Sequence, residues 1–175
     1  MENVKEIDKG FINLGEKVMV SDPCYKMGTW CQGTIDNVLK GIYKCDLEMY
    51  DDRAWGSRVS AIKVTHVDYV NKILAYGCEC DIGVDSGQAG IFDYEYYEKY
   101  HNGKTDDDWY DTVCDKTISE YNGKEFFDGN TIDGLGFVSS SGYGDGFYDC
   151  WVAECDGKVV AIRIEFIAED GEEVM

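Results

Sequence analysis

The chain has a single proline, two isolated histidines (His66 and His101) and no CxxC pair. With one proline, no Pro-rich linker divides it. With only Cys78-x-Cys80 and two lone histidines, no zinc-type spacing is present. The opening MENVKEIDKG lacks a basic segment followed by an apolar run, so no signal peptide is expected. No apolar run reaches the ~18 residues that a membrane span requires. A cytoplasmic protein is therefore expected, with its eight cysteines reduced and mostly buried. Positive charge is scarce too: 16 Lys and Arg stand against 35 Asp and Glu, a net of −19. This excludes a free-standing binder of DNA, RNA or anionic membrane, because neutralising phosphate takes Lys and Arg. No HExxH, GxSxG or Ser/His/Asp pattern marks a catalytic centre, so binding is favoured over catalysis.

What is present suffices for a core. The 175 residues are 44% hydrophobic and 14% aromatic, the size of one domain. A single globular domain is expected over 1–168, followed by a polar tail at 169–175. The acidity is concentrated. Residues 1–75 carry a net of −1, whereas residues 76–156 hold 19 acidic and 4 basic residues, a net of −15.

Short β-type runs dominate. Gly41–Tyr50 places Tyr43, Cys45, Leu47 and Met49 on one face and Ile42, Lys44, Asp46 and Glu48 on the other. Leu74–Val84 sets Tyr76, Cys78, Cys80, Ile82 and Val84 against Gly77, Glu79, Asp81, Gly83 and Asp85. The dipeptide Asp156-Gly157 predicts a two-residue hairpin that pairs Cys155 with Lys158 and Trp151 with Ile162. In that register Phe147, Asp149, Trp151 and Ala153 share a core face, with Asp149 the misfit. A slip of one residue would send Asp149 to solvent. Trp109, Val113 and Thr117 recur at helical spacing, which predicts an amphipathic helix near 106–121 ended by Asn122-Gly123. A short helix is also expected near Ile35–Lys40. The fold class that follows is mostly β (α+β), an antiparallel sheet or sandwich with one amphipathic helix.

Two functional readings follow. In the first, the acidic face carries the function. Carboxylates in place of phosphates let a protein occupy a basic nucleic-acid-binding groove, as an anti-CRISPR or other anti-defence inhibitor would. Its partner is a basic nucleic-acid-binding protein. Its contact candidates are Asp106, Asp107, Asp108 and Asp111, with Tyr96 and Tyr97 of the Tyr-rich run DYEYYEKYH as interface aromatics. No cofactor is needed.

The second reading is a small-ligand or divalent-cation site, with hydrolysis as an extension. It uses the Asp/Gly loops at 82–93 and 139–149 and takes Ca2+ or Mg2+ if the ligand is a cation. Its candidates are Asp22, Asp85, Ser86, Gln88, Asp93, Ser141, Tyr143, Asp145 and Asp149. Cys24 beside Asp22 would act as a nucleophile only with a base nearby, and His66 and His101 are the candidates.

Three segments occur together and in order: VSDPCY at 20–25, IGVDSGQAGIFD at 82–93 and SGYGDGFYDCWV at 141–152, which leads into GKVVAIRIEF. With DDWYDTVCDKT they resemble a widespread uncharacterised family of bacteria, their phages and mobile elements. The resemblance implies a bacterial or phage protein in which the Gly/Asp loops matter. It supplies no activity and no catalytic residue.

Overall fold

The computed structural model describes residues 3–101 and 106–168, without the side chains of 100, 101, 106 and 107. The expected tail at 169–175 lies outside the described residues, as do the side chains of His101, Asp106 and Asp107. The protein is mostly β with antiparallel sheets, as its short alternating runs require.

The larger sheet has six strands: β1 (Val4–Leu14), β4 (Gly41–Asp52), β5 (Gly56–His66), β13 (Lys158–Glu165), β12 (Gly146–Cys155) and β6 (Tyr76–Val84), in that spatial order. The smaller runs β10 (Gly129–Ile132), β11 (Gly136–Ser140), β7 (Gln88–Asp93), β2 (Val18–Ser21) and β3 (Gly33–Ile35). A separate hairpin joins β8 (Ile118–Tyr121) to β9 (Lys124–Phe127). Two α-helices, α1 (Tyr94–His101) and α2 (Asp106–Thr117), and a short 3-10 turn at Val67–Tyr69 complete the described elements.

The main core fills the space between the two sheets. It takes Tyr43, Cys45 and Leu47 from β4, Ile162 and Ile164 from β13, Tyr148 and Cys150 from β12, and Val20, Ile91 and Phe137 from the smaller sheet. The expected inward face of β4 is therefore correct for these three residues. A second core lies on the other side of the smaller sheet, where Met19, Phe92 and Val138 meet Tyr96, Tyr97, Trp109 and Val113 of the helices. The smaller sheet is thus covered on both faces, and β11 is buried at every position.

Several expectations need correction. The helix ends at Thr117, and Asn122-Gly123 turns the β8–β9 hairpin, with φ of 52° and 76°. Two successive left-handed residues make a type I′ turn, so the same dipeptide serves a strand pair here rather than a helix end. Residues 36–40 are not helical; Val38 instead bridges to Val159. DYEYYEKYH forms a helix, because Asp93 caps it: its carboxylate accepts the amide N–H of Tyr96 at 3.3 Å.

The terminal hairpin turns at Asp156-Gly157 and pairs Cys155 with Lys158. A register shift between Ala153 and Glu154 then places Trp151 opposite Arg163. That bulge flips the face, so Tyr148 and Cys150 point inward while Phe147 and Asp149 point out. In β6 a shift at the Cys78–Cys80 step leaves Cys78 exposed. All eight cysteines are free.

Candidate functional site

The two motifs nearest the N-terminus and the chain centre meet through Asp22. This fully buried carboxylate accepts the amide N–H of Cys24 (2.9 Å), of Asp85 (2.9 Å) and of Ser86 (2.8 Å), and the Ser86 hydroxyl at 2.7 Å. Asp22 is thus consumed in tying the β2–β3 loop to the β6–β7 turn. Tyr25, in the same loop, donates its hydroxyl to Asp85. That bond pushes the Tyr25 phenol up to about 12. Burial pushes the Cys24 thiol up to about 12 as well, which keeps it protonated at neutral pH. His66 accepts the amide of Asp68 and packs on Tyr43.

The tethered loop lays Trp30 across β6. A Cβ placed on Gly83 would come within 1.9 Å of the Trp30 ring, so only glycine permits this contact. Trp30 meets Tyr25 edge-on at 6.0 Å and Phe147 edge-on at 5.8 Å. It nevertheless remains 59% exposed, and Phe147 remains 53% exposed. The three rings form an aromatic patch on the outer face of the larger sheet.

Carboxylates adjoin that patch. Phe147 pairs with Gly83 and, two positions along the same face, Asp149 pairs with Asp81. Like charges directly opposed across strands are unfavourable. Among the described residues, no cation lies within ion-pair distance of Glu79, Asp81 or Asp149. The exposed Cys78 thiol registers this field. Its pKa is raised, first by desolvation and then by Asp149, with Asp81 and Glu79 adding to it.

The other predicted residues are scattered. Tyr96 and Tyr97 are not contact residues: both are buried, Tyr96 donating to Asp133 and Tyr97 to the Tyr25 carbonyl. Their burial follows from α1 packing its tyrosines onto Phe92. Asp108 and Asp111 are exposed on α2, whose Trp109 indole N–H donates to the Pro23 carbonyl of the loop that carries Tyr25 and Trp30. Asp93 accepts the amides of Gly15 and Tyr96 and serves as a cap. Asp145 is exposed.

The Gly/Asp loops do converge, since Ser141 N–H donates to the Gly87 carbonyl at 3.0 Å. Ser86, Gln88, Ser141 and Tyr143 line one small cavity there, and Asp85, Asp93, Asp145 and Asp149 do not. Among the described residues, no group of three or more His, Cys, Asp or Glu is placed to hold a metal ion.

Trp30, Phe147, Gly83 and Asp81 are missing from the expected site, and Phe147 is expected in the core. The available signal is Trp30 itself, a large aromatic in the polar run GTWCQG. No family model matches the chain, and no curated protein or solved structure is similar to it. Among the described residues, no helix is long and apolar enough to cross a membrane.

Proposed function

We propose that the protein is a non-catalytic acidic binding protein. It offers rings and carboxylates where nucleic acid offers bases and phosphates, and it blocks a basic nucleic-acid-binding enzyme, as an anti-CRISPR or other anti-defence inhibitor does. The observation that carries this reading is the exposed Tyr25–Trp30–Phe147 patch beside the unpaired Asp81–Asp149 couple. Arginine is the side chain that such a surface suits, since its guanidinium stacks on aromatic rings and pairs with carboxylates. Surfaces that bind phosphate are rich in it. Aromatic anchors with a charged rim also match the anatomy of binding hot spots.

The reading moves the contact from the α2 carboxylates to the β6–β12 face. It keeps the chain among bacterial or phage proteins, in line with the motif resemblance, and inside the cytoplasm where such a partner works.

The test is capture from a bacterial lysate containing nucleic-acid-processing enzymes, with nuclease treatment, at low and high salt. A basic nucleic-acid-binding protein should be recovered and then displaced by DNA or RNA. Asp81→Lys with Asp149→Lys should abolish recovery, as should Trp30→Ala. Asp108→Lys with Asp111→Lys should leave it intact. If the α2 variant alone loses the partner, the contact lies on the helix layer. Capture that is unchanged by nucleic acid and by every variant would overturn the mimic reading.

A further inference from the structure

The cavity where the two Gly/Asp loops meet holds an unusual pair of atoms. Among the described residues, two buried side-chain polar atoms lack a hydrogen-bond partner: Arg58 Nε and Gln88 Oε1. Both residues line this one cavity, of about 160 Å3. Unpaired buried polar groups are rare in native proteins, and each asks for an explanation. Here one is a cationic donor and the other a neutral acceptor, both on residues that line a space already formed.

The surroundings keep them this way. Arg58 arrives from β5 with its guanidinium over the Phe127 ring at 4.4 Å and within 5.9 Å of Tyr143. Among the described residues its one hydrogen bond, from Nη2 to the Trp55 carbonyl, spans 3.3 Å. The nearby Asp52 does not form an ion pair with it. Its carboxylate is engaged by the Tyr143 hydroxyl and the amides of Ala54 and Trp55. Gln88 is only 7% exposed, and its amide nitrogen points at Cys114 Sγ at 3.4 Å. The Tyr143 hydroxyl does most to hold the Asp52 carboxyl below its usual range; the Arg58 charge adds to this only through space, and its Nε is left without an acceptor among the described residues.

We infer that this cavity is a binding site for a small organic carboxylate that carries a hydroxyl or amino group. A carboxylate oxygen accepts from Arg58 Nε, and the ligand's O–H or N–H donates to Gln88 Oε1. The size agrees, because a cavity of ~150 Å3 accommodates a molecule as large as benzene. Such a ligand has about five to eight non-hydrogen atoms. The site is independent of the acidic surface and uses none of its carboxylates.

The experiment is calorimetric titration of the intact protein with L-lactate, glycolate, L-alanine and acetate. At least one hydroxy or amino acid should bind saturably in the millimolar range or tighter, and acetate, which has no donor, should bind more weakly. Arg58→Gln should weaken that binding by roughly tenfold or more, the worth of one charge-assisted bond. Gln88→Leu should also lose binding. It should raise the thermal midpoint of the free protein, since it removes an unpaired polar group that only a ligand satisfies. If no hydroxy or amino acid saturates the protein, or if acetate binds as well as lactate, the assignment is overturned. A Gln88→Leu protein with a lowered midpoint and unaltered ligand affinity would overturn it as well, because Gln88 would then be serving the fold through ordered water.

Discussion

At the β1–β4 end of the larger sheet, Lys44 stands between Asp8 and Asp46, Lys63 reaches Glu6, and Arg163 is held by Glu48 and Glu165. At the β6–β12 end of the same sheet, Asp81 faces Asp149, and among the described residues no cation lies within ion-pair distance of either. One strand architecture thus carries both a balanced face and an unbalanced one. The balanced face shows that the fold can neutralise its carboxylates when cations are supplied at matching register. The unbalanced end retains a repulsion that stability alone would not keep, and it does so next to exposed rings. Sites that break local rules in this way are where function is expected.

The largest way to break the comparison is to cut the tether of the unbalanced end. Asp22→Ala removes four hydrogen bonds from a fully buried carboxylate. It should cost about 3–5 kcal/mol in urea unfolding. Amide-exchange protection should fall around 24–33 and 85–86 while β1 and β4 stay protected. Equal losses at both ends would show that Asp22 serves the whole fold.

Arg163→Met comes next. It leaves Glu48 and Glu165 without their shared cation, and should destabilise by about 1–2 kcal/mol. The same kind of change at the other end has the opposite sign. Asp149→Asn relieves the couple with Asp81 and should stabilise by about 0.2–1 kcal/mol. Adding salt should raise the wild-type thermal midpoint more than that of Asp149→Asn, because screening already performs what the substitution does. A destabilised Asp149→Asn would mean that this carboxylate has a structural partner.

The smallest effect is on acid stability. Burial works to raise the Asp128 pKa. The Lys9 ammonium at 2.8 Å, the Ser119 hydroxyl and the Gly129 amide outweigh it, and the net value falls below the usual carboxylate range. The unfolded chain therefore binds a proton more readily than the folded one. The resulting stability is complete above the ordinary carboxylate pKa and is lost as pH falls through the lowered one. Lys9→Ala should start that acid loss at a higher pH, as followed by circular dichroism.

How much of this is legible in the residues depends on distance along the chain. The period-2 pattern of Tyr43, Cys45 and Leu47 marks an inward face without help from any other strand. Asp156-Gly157 announces a hairpin because both residues accept positive φ. Bulges leave no such trace. The single shift between Ala153 and Glu154 exchanges Trp151 and Tyr148 between faces, although the local composition favours neither. Asn122-Gly123 suits a helix end as well as a turn, and the choice is made by the pairing of β8 with β9. At the site, Asp22 and Ser86 are separated by 64 residues, and Arg58 reaches the Gly/Ser loop from another strand altogether. No local spacing encodes contacts of that kind. The smaller sheet is hard to read for a further reason: with helices on one face and a sheet on the other, β11 loses its alternation.

The loop that lays Trp30 on Gly83 also closes a border. β6 is the last strand of its sheet, and the open side of such a strand is a template on which another chain can add. Here the Gly83 N–H is taken by the Cys31 carbonyl at 3.3 Å, and Glu79 and Asp81 repel any strand that approaches. At the opposite border, β1 is interrupted by a bulge between Asp8 and Phe11. Both margins of the larger sheet are thus interrupted, and neither offers a flat edge along which copies can stack into fibres.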